Sequence, residues 1–196
     1  MFIMKVLTNA IKFRTLVLNI VIIATAIIPA NAQQYVPTDQ NSTVQFKIEN
    51  HLMGSTTVTG YFKGLKGIIV FDPNSLANAS FDVSVNVRTI STGIGMRDND
   101  LKKEKFFDAD KYPTMHFKST KVTKGSQANT YMLYGNLTIK NVTKPVTIPF
   151  KATPSNGGCI FTGTFQVNRM AYNVSADKGK IEDNANVMLK VFAKKK

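Results

Sequence analysis

Cys159 is the single cysteine in a chain of 196 residues. No intramolecular disulfide can staple the fold, so stability must come from hydrophobic packing, and a lone thiol in an apolar strand reads as a small buried hydrophobe. Histidine is almost as scarce. His51 and His116 are the only two, widely separated and without clustered cysteines or carboxylates, so no protein-built metal site is expected. Catalytic signatures are missing as well: there is no G-x-S-x-G elbow, Walker loop, G-x-G-x-x-G or H-E-x-x-H. Asp108 and Asp110 stand two apart in a turn-like stretch, where carboxylates form turns and caps more often than they form an acid–base pair. These absences argue against an enzyme and leave no cofactor to expect.

Acidic residues are few, 12 against 25 Lys and Arg, for a formal net charge of +13. The N-terminus decides how that charge is read. Lys5, Lys12 and Arg14 flank an apolar run from Thr15 to Ile28, broken by Asn19, and Pro29-Ala30-Asn31-Ala32 supplies an A-x-A cleavage pattern. Residues 1–32 therefore read as a signal peptide cut after Ala32, because the run is shorter than the ~20 residues of a spanning helix. No later stretch is long enough to span. Residues 33–196 suffice for one domain with a real core. For an exported chain the positive charge favours anionic lipid surfaces or head groups over nucleic acid, although surface lysines also serve plain solubility.

Past the leader, period-two alternation dominates. Val44, Phe46 and Ile48 share one face of 43–49, and Phe81, Val83, Val85 and Val87 share one face of 80–88. Similar patterns mark 58–62, 68–71, 131–139, 146–150, 160–167 and 187–192, which are read as strands. Turn chemistry separates them: Asp72-Pro73-Asn74, Lys124-Gly125-Ser126, Lys140-Asn141-Val142-Thr143, Pro154 to Gly158, and Asp177-Lys178-Gly179. Eight or nine strands with short polar connections predict an all-β antiparallel sandwich or closed barrel. The segment around 95–110 breaks the rhythm and predicts a short helix or structured loop. It ends in FFDADKYP, where Tyr112-Pro113 marks a strand entrance and Met115 and Phe117 then share a face.

A barrel of about eight strands is either filled by its inward side chains or just wide enough for one ligand. Composition alone favours a filled core, yet Gly60, Gly135, Gly163 and Met115 on the inward faces would leave room. If a tunnel exists, the inward residues that would line it are Phe46, Ile48, Val58, Phe62, Phe71, Phe81, Val83, Val85, Met115, Phe117, Leu133, Leu137, Phe161 and Phe165. By residue type, His51, Arg97, Tyr112 and Arg169 could meet a polar head group at its mouth, with Arg97 equally suited to a structural pair with Asp98.

Five stretches occurring together and in order carry a family resemblance: NSTVQFKIENHLMGSTTVTGYFKGLKGIIVFDPN (41–74), FDVSVNVRTISTG (81–93), MRDNDLKKEKFFDADKYPTMHFKSTKV (96–122), YGNLTIKNVTKPVTIPF (134–150) and FTGTFQVNR (161–169). The chain resembles the YceI-like family over 35–193. The resemblance implies an eight-stranded lipocalin-like antiparallel β-barrel in the periplasm of a Gram-negative bacterium. Its interior would hold a long amphiphile: an isoprenoid, an isoprenoid quinone or an acyl lipid. The function expected with it is non-catalytic binding, whether for carriage or storage; the positive charge allows transient contact with an anionic membrane surface, and the chain is expected as a monomer or a homodimer. FFDADKYP would then close a loop over part of the barrel, a structural role before a ligand contact. The stretch after Arg169 is more compact than the family pattern, which implies a differently shaped mouth. The competing expectation is a filled β-sandwich that acts as an envelope interaction module.

Overall fold

The computed structural model describes residues 33–51, 54–174 and 179–196. The expected leader, and the Asp177-Lys178 part of one expected turn, lie outside these. Nine strands follow in order: β1 (Gln34–Pro37), β2 (Thr43–Asn50), β3 (Thr56–Val70), β4 (Ser80–Ser91), β5 (Thr114–Lys124), β6 (Thr130–Ile139), β7 (Val142–Ser155), β8 (Gly158–Asn168) and β9 (Asn184–Lys195). One helix, α1 (Gly95–Lys102), stands between β4 and β5. All pairings are antiparallel, and β3 returns to pair with β4, so the sheet closes on itself. A closed barrel, not a sandwich, is what forms, and closure removes the free edges that an open sheet would expose.

Nine strands fill eight positions because β1 and β2 share one. β1 pairs with the far end of β3 (Gln34 opposite Val70) and with β9 (Pro37 opposite Ala193). β2 continues the same line between the same neighbours, with Val44 opposite both Phe62 and Leu189. Side chains bridge the break. The Asp39 carboxylate accepts from the backbone N–H groups of Gly64 at 2.9 Å and Leu65 at 3.0 Å, and Ser42 Oγ accepts from that of Phe192 at 2.8 Å.

Two expected strands, 58–62 and 68–71, are one 15-residue strand. Between them, Gly64 lies within a register shift against β4 and Gly67 follows it, and both take positive φ, so they bend a strand that continues. Gly67 approaches β4 so closely that a Cβ would stand 2.0 Å from the Asp82 carbonyl oxygen. β7 is likewise longer than expected. Val142 and Thr143, read as turn residues, already pair with Ile139 and Thr138, leaving a tight Lys140-Asn141 turn.

The core is divided along the barrel axis. At one end Phe71, Phe81, Tyr131, Phe150 and Phe161 form a buried aromatic cluster with Cys159, Ala152 and Ala193. Phe71 is its hub, 5.0 Å from Tyr131, 5.6 Å from Phe161 and 5.8 Å from Phe150 between ring centroids, each edge-to-face. Such pairs add about 0.5–1.5 kcal/mol each beyond area burial. At the other end a smaller cluster joins Ile139, Val167, Tyr172 and Val174, with Phe106 and Phe107 packed against it.

Candidate functional site: an apolar barrel cavity

Between the two clusters lies a cavity of about 550 Å³, within the 300–1,000 Å³ typical of small-molecule sites. Its wall follows from strand alternation. Phe46 and Ile48 come from β2, Val58 and Phe62 from β3, Val83 and Val85 from β4, Met115 and Phe117 from β5, Leu133 and Leu137 from β6, and Phe165 from β8. Phe81 and Phe161 line it too, where it meets the aromatic cluster. Every apolar residue expected at the wall is there except Phe71. Alternation turns Phe71 inward as expected, but it sits just beyond the end of β3, inside the aromatic plug that ends the cavity.

The glycines do not make the room. A Cβ on Gly60 would lie 2.2 Å from the Phe46 ring, and one on Gly135 would lie 2.4 Å from the Phe117 ring. Neighbouring aromatics already fill those gaps. Gly163 borders the cavity, but its Cβ would meet the Pro149 carbonyl oxygen at 2.8 Å. Space comes instead from the mid-sized side chains in the middle of the barrel, among them Val85, Leu137, Val187 and Leu189.

The mouth is built by α1 and the segment after it. Ile94 and Met96 line the cavity while remaining 54% and 80% exposed, which places the opening beside the start of α1. FFDADKYP then folds back over the barrel. The Asp108 N–H donates to the Lys103 carbonyl at 3.0 Å and the Ala109 N–H to that of Lys102 at 2.8 Å, with Asp108 in the left-handed region and Ala109 buried. The Pro113 carbonyl accepts from the Val87 N–H at 2.8 Å, stitching the strand entrance to β4. This closure tucks Phe106 and Phe107 into the cavity wall, Phe107 standing edge-on to Phe62 at 5.8 Å. The motif therefore covers the barrel and lines its interior at once.

The four polar candidates separate. Arg97 lines the mouth, half-buried. Its Nε donates to Thr92 Oγ1 at 2.7 Å and its Nη2 to the Thr92 carbonyl at 3.0 Å, while Asp98 accepts from the Thr92 N–H at 2.7 Å, so Thr92 joins the two charges in place of a direct pair. Arg169 also borders the cavity but is 7% exposed. Its guanidinium donates to the carbonyls of Glu182 at 2.8 Å, Val174 at 2.9 Å and Ile181 at 2.8 Å, tying Val174 to Ile181 and Glu182. His51 is exposed and off the wall, 3.1 Å from a Glu182 carboxylate oxygen. Tyr112 is also off the wall, beneath the Lys111 ammonium at 5.4 Å from its ring centre.

Cys159 lies in the aromatic plug, where burial pushes its thiol above the ordinary value; the same cause raises the Tyr35, Tyr131 and Tyr172 hydroxyls. On the outer wall, the hydrogen bond from His116 at 2.7 Å holds the Asp82 carboxyl below its usual range. Among the described residues no three His, Cys, Asp or Glu converge as a metal site would need.

A closed antiparallel barrel around an apolar cavity defines the lipocalin-like class of fold. Within that class the chain belongs to the YceI family, since the model of the YceI-like domain matches residues 35–193. A UPF0312 protein of Yersinia enterocolitica is 28% identical over 158 residues, covering 78% of this chain and 80% of its own. Among solved structures, BcnA of Burkholderia cenocepacia superposes with a TM-score of 0.71 at 24% identity, over 78% of this chain and 96% of its own. The YceI protein of Campylobacter jejuni gives 0.64 at 27% identity, over 72% and 86%. A polyisoprenoid-binding domain from Saccharophagus degradans, implicated in plant cell wall breakdown, gives 0.65 at 12% identity, over 83% and 98%.

Proposed function

We propose that this protein binds one long amphiphilic lipid without chemical turnover, its isoprenoid or acyl tail in the barrel cavity and its head group at the α1 mouth. The observation that carries the reading is the cavity itself, a space of about 550 Å³ walled by apolar side chains from all nine strands and the cap. Each methylene moved from water into such a space contributes about 0.8 kcal/mol, so ten give roughly 8 kcal/mol before the cost of immobilising the chain. Micromolar binding, about −8.2 kcal/mol, then needs only a somewhat longer tail or a modest head-group contact. Arg97 is the head-group residue of choice. It stands at the mouth and keeps N–H groups beyond those given to Thr92, whereas Arg169 spends its fork on the backbone. The likeness to a polyisoprenoid-binding domain supports the ligand class, and the signal-peptide-like sequence of residues 1–32 supports export to the periplasm.

The test is native mass spectrometry of the exported protein, purified from its own envelope without detergent, followed by solvent extraction. A stoichiometric prenyl or acyl species is the expected result. A bare polypeptide that also fails to take up a prenyl quinone would overturn the reading.

A further inference from the structure

Charge is distributed very unevenly along the barrel axis. Strands β5 to β9, five neighbours in the sheet, carry eight lysines and no carboxylate. Most of these lysines gather at the aromatic-plug end. Lys121 and Lys124 stand at the end of β5, Lys151 beside Phe150 on β7, and Lys190 and Lys194 on the outward face of β9, followed by Lys195 and Lys196. Lys151 and Lys190 lie on one row, joined through Thr162 of β8. All are exposed, and among the described residues none of them is in an ion pair. The carboxylates at this end are Asp39, Asp72 and Asp82; Asp39 is held by the Gly64 and Leu65 N–H groups at 2.9 and 3.0 Å, and Asp82 is already occupied by His116 at 2.7 Å and Lys118 at 3.7 Å. The mouth is different: over residues 95–111 five basic side chains stand against five acidic ones.

These two ends act separately in solution. A strand of 12 residues such as β9 spans roughly 40 Å, or about 30 Å along the axis of a barrel with tilted strands. The Debye length at physiological ionic strength is about 8 Å, so the balanced mouth does not cancel the field of the basic end.

The geometry points to the plug end as an electrostatic foot for an anionic lipid bilayer, with the α1 mouth held away from that surface. Lysines on flexible stems, spread over half the rim of a barrel end, suit laterally mobile lipid phosphates; a polymer would be tracked along a groove. The aromatic plug behind them makes the foot rigid and keeps the cavity shut on that side. This orientation does not depend on which cargo the cavity takes, and its test is separate from lipid uptake.

The experiment is co-sedimentation of the full barrel with vesicles of phosphatidylcholine alone or mixed with phosphatidylglycerol. Environment-sensitive fluorophores placed through Asn156→Cys at the plug end and Met96→Cys at the mouth report orientation, and buried Cys159 stays unlabelled. Binding is expected only with phosphatidylglycerol, falling steeply with salt, and about five-fold for each of Lys151, Lys190 and Lys194 changed to Gln. The probe at 156 should respond to the vesicles and the probe at 96 should not. Equal binding to neutral vesicles, wild-type binding by the triple variant, or a response confined to the probe at 96 would each overturn the proposal. Capture of a soluble polyphosphate without vesicle binding would overturn it in favour of a polymer partner.

Discussion

The two ends of the barrel are built by different means. At the plug, interlocked rings are buried against one another, and the surrounding surface is predominantly basic. At the mouth, an eight-residue helix, a folded-back loop and an arginine fork hold the chain through polar contacts to the backbone, around an opening edged by exposed Ile94 and Met96. Stability is thus concentrated where nothing enters, and adaptability where something must. A barrel plugged equally at both ends could not load.

The largest effect expected from breaking this division comes from the hub of the plug. Phe71→Ala should cost about 3–5 kcal/mol, read in urea unfolding, whereas Phe107→Ala at the half-buried cap should cost less but speed lipid release. Equal stability losses would erase the distinction. Next, Arg169→Met removes the donors that satisfy three carbonyls, each orphaned buried group costing about 1–3 kcal/mol. Hydrogen exchange should rise around 174 and 181–182 while amides of the plug stay protected. Third, Leu137→Trp fills the cavity from its wall and should lower affinity for a prenyl quinone about ten-fold, equivalent to 1.4 kcal/mol, with thermal unfolding little changed. Gly135→Phe and Gly163→Phe are poorer probes, because backbone carbonyls stand where the new side chains would begin.

The smallest effect is set by pH. Cys159, Tyr35, Tyr131 and Tyr172 hold their protons more tightly when folded, so the folded state binds more protons than the unfolded one in alkali. Their contribution is fully present below the ordinary values of 9.0 for the thiol and 10.0 for the hydroxyls and is lost as pH rises through the folded values. Stability should be flat near neutrality and decline beyond about pH 9, and Cys159→Ala should delay the onset of that decline.

Much of this division can be read from residues alone. Alternation along a one-sided strand turns the correct residues inward, which is why the wall from Phe46 to Phe165 was legible. It does not say how high along the axis a residue sits, and Phe71 therefore reads as wall when it is plug. Nor does residue type tell whether a guanidinium is already engaged, and Arg97 and Arg169 look alike in sequence while only one keeps donors for a ligand. Phe106 and Phe107 escaped as wall residues because they lie outside any periodic segment; the signal was a pair of rings directly after a short charged helix. β1 has too few residues to show a period, and β3 reads as two strands because its positive-φ glycines interrupt the alternation between 62 and 68.

The shared strand position also governs how the molecule is made. The barrel is sealed where β1 and β2 meet β9, through contacts such as the Thr38 N–H to the Phe192 carbonyl at 3.1 Å, which join segments at opposite ends of the domain sequence. Loop closure on that scale is slow and comes after local hairpins have formed. A chain emerging from its N-terminus first must wait as an open, curved sheet until β9 has been produced, and only then does an inside exist for a ligand to occupy.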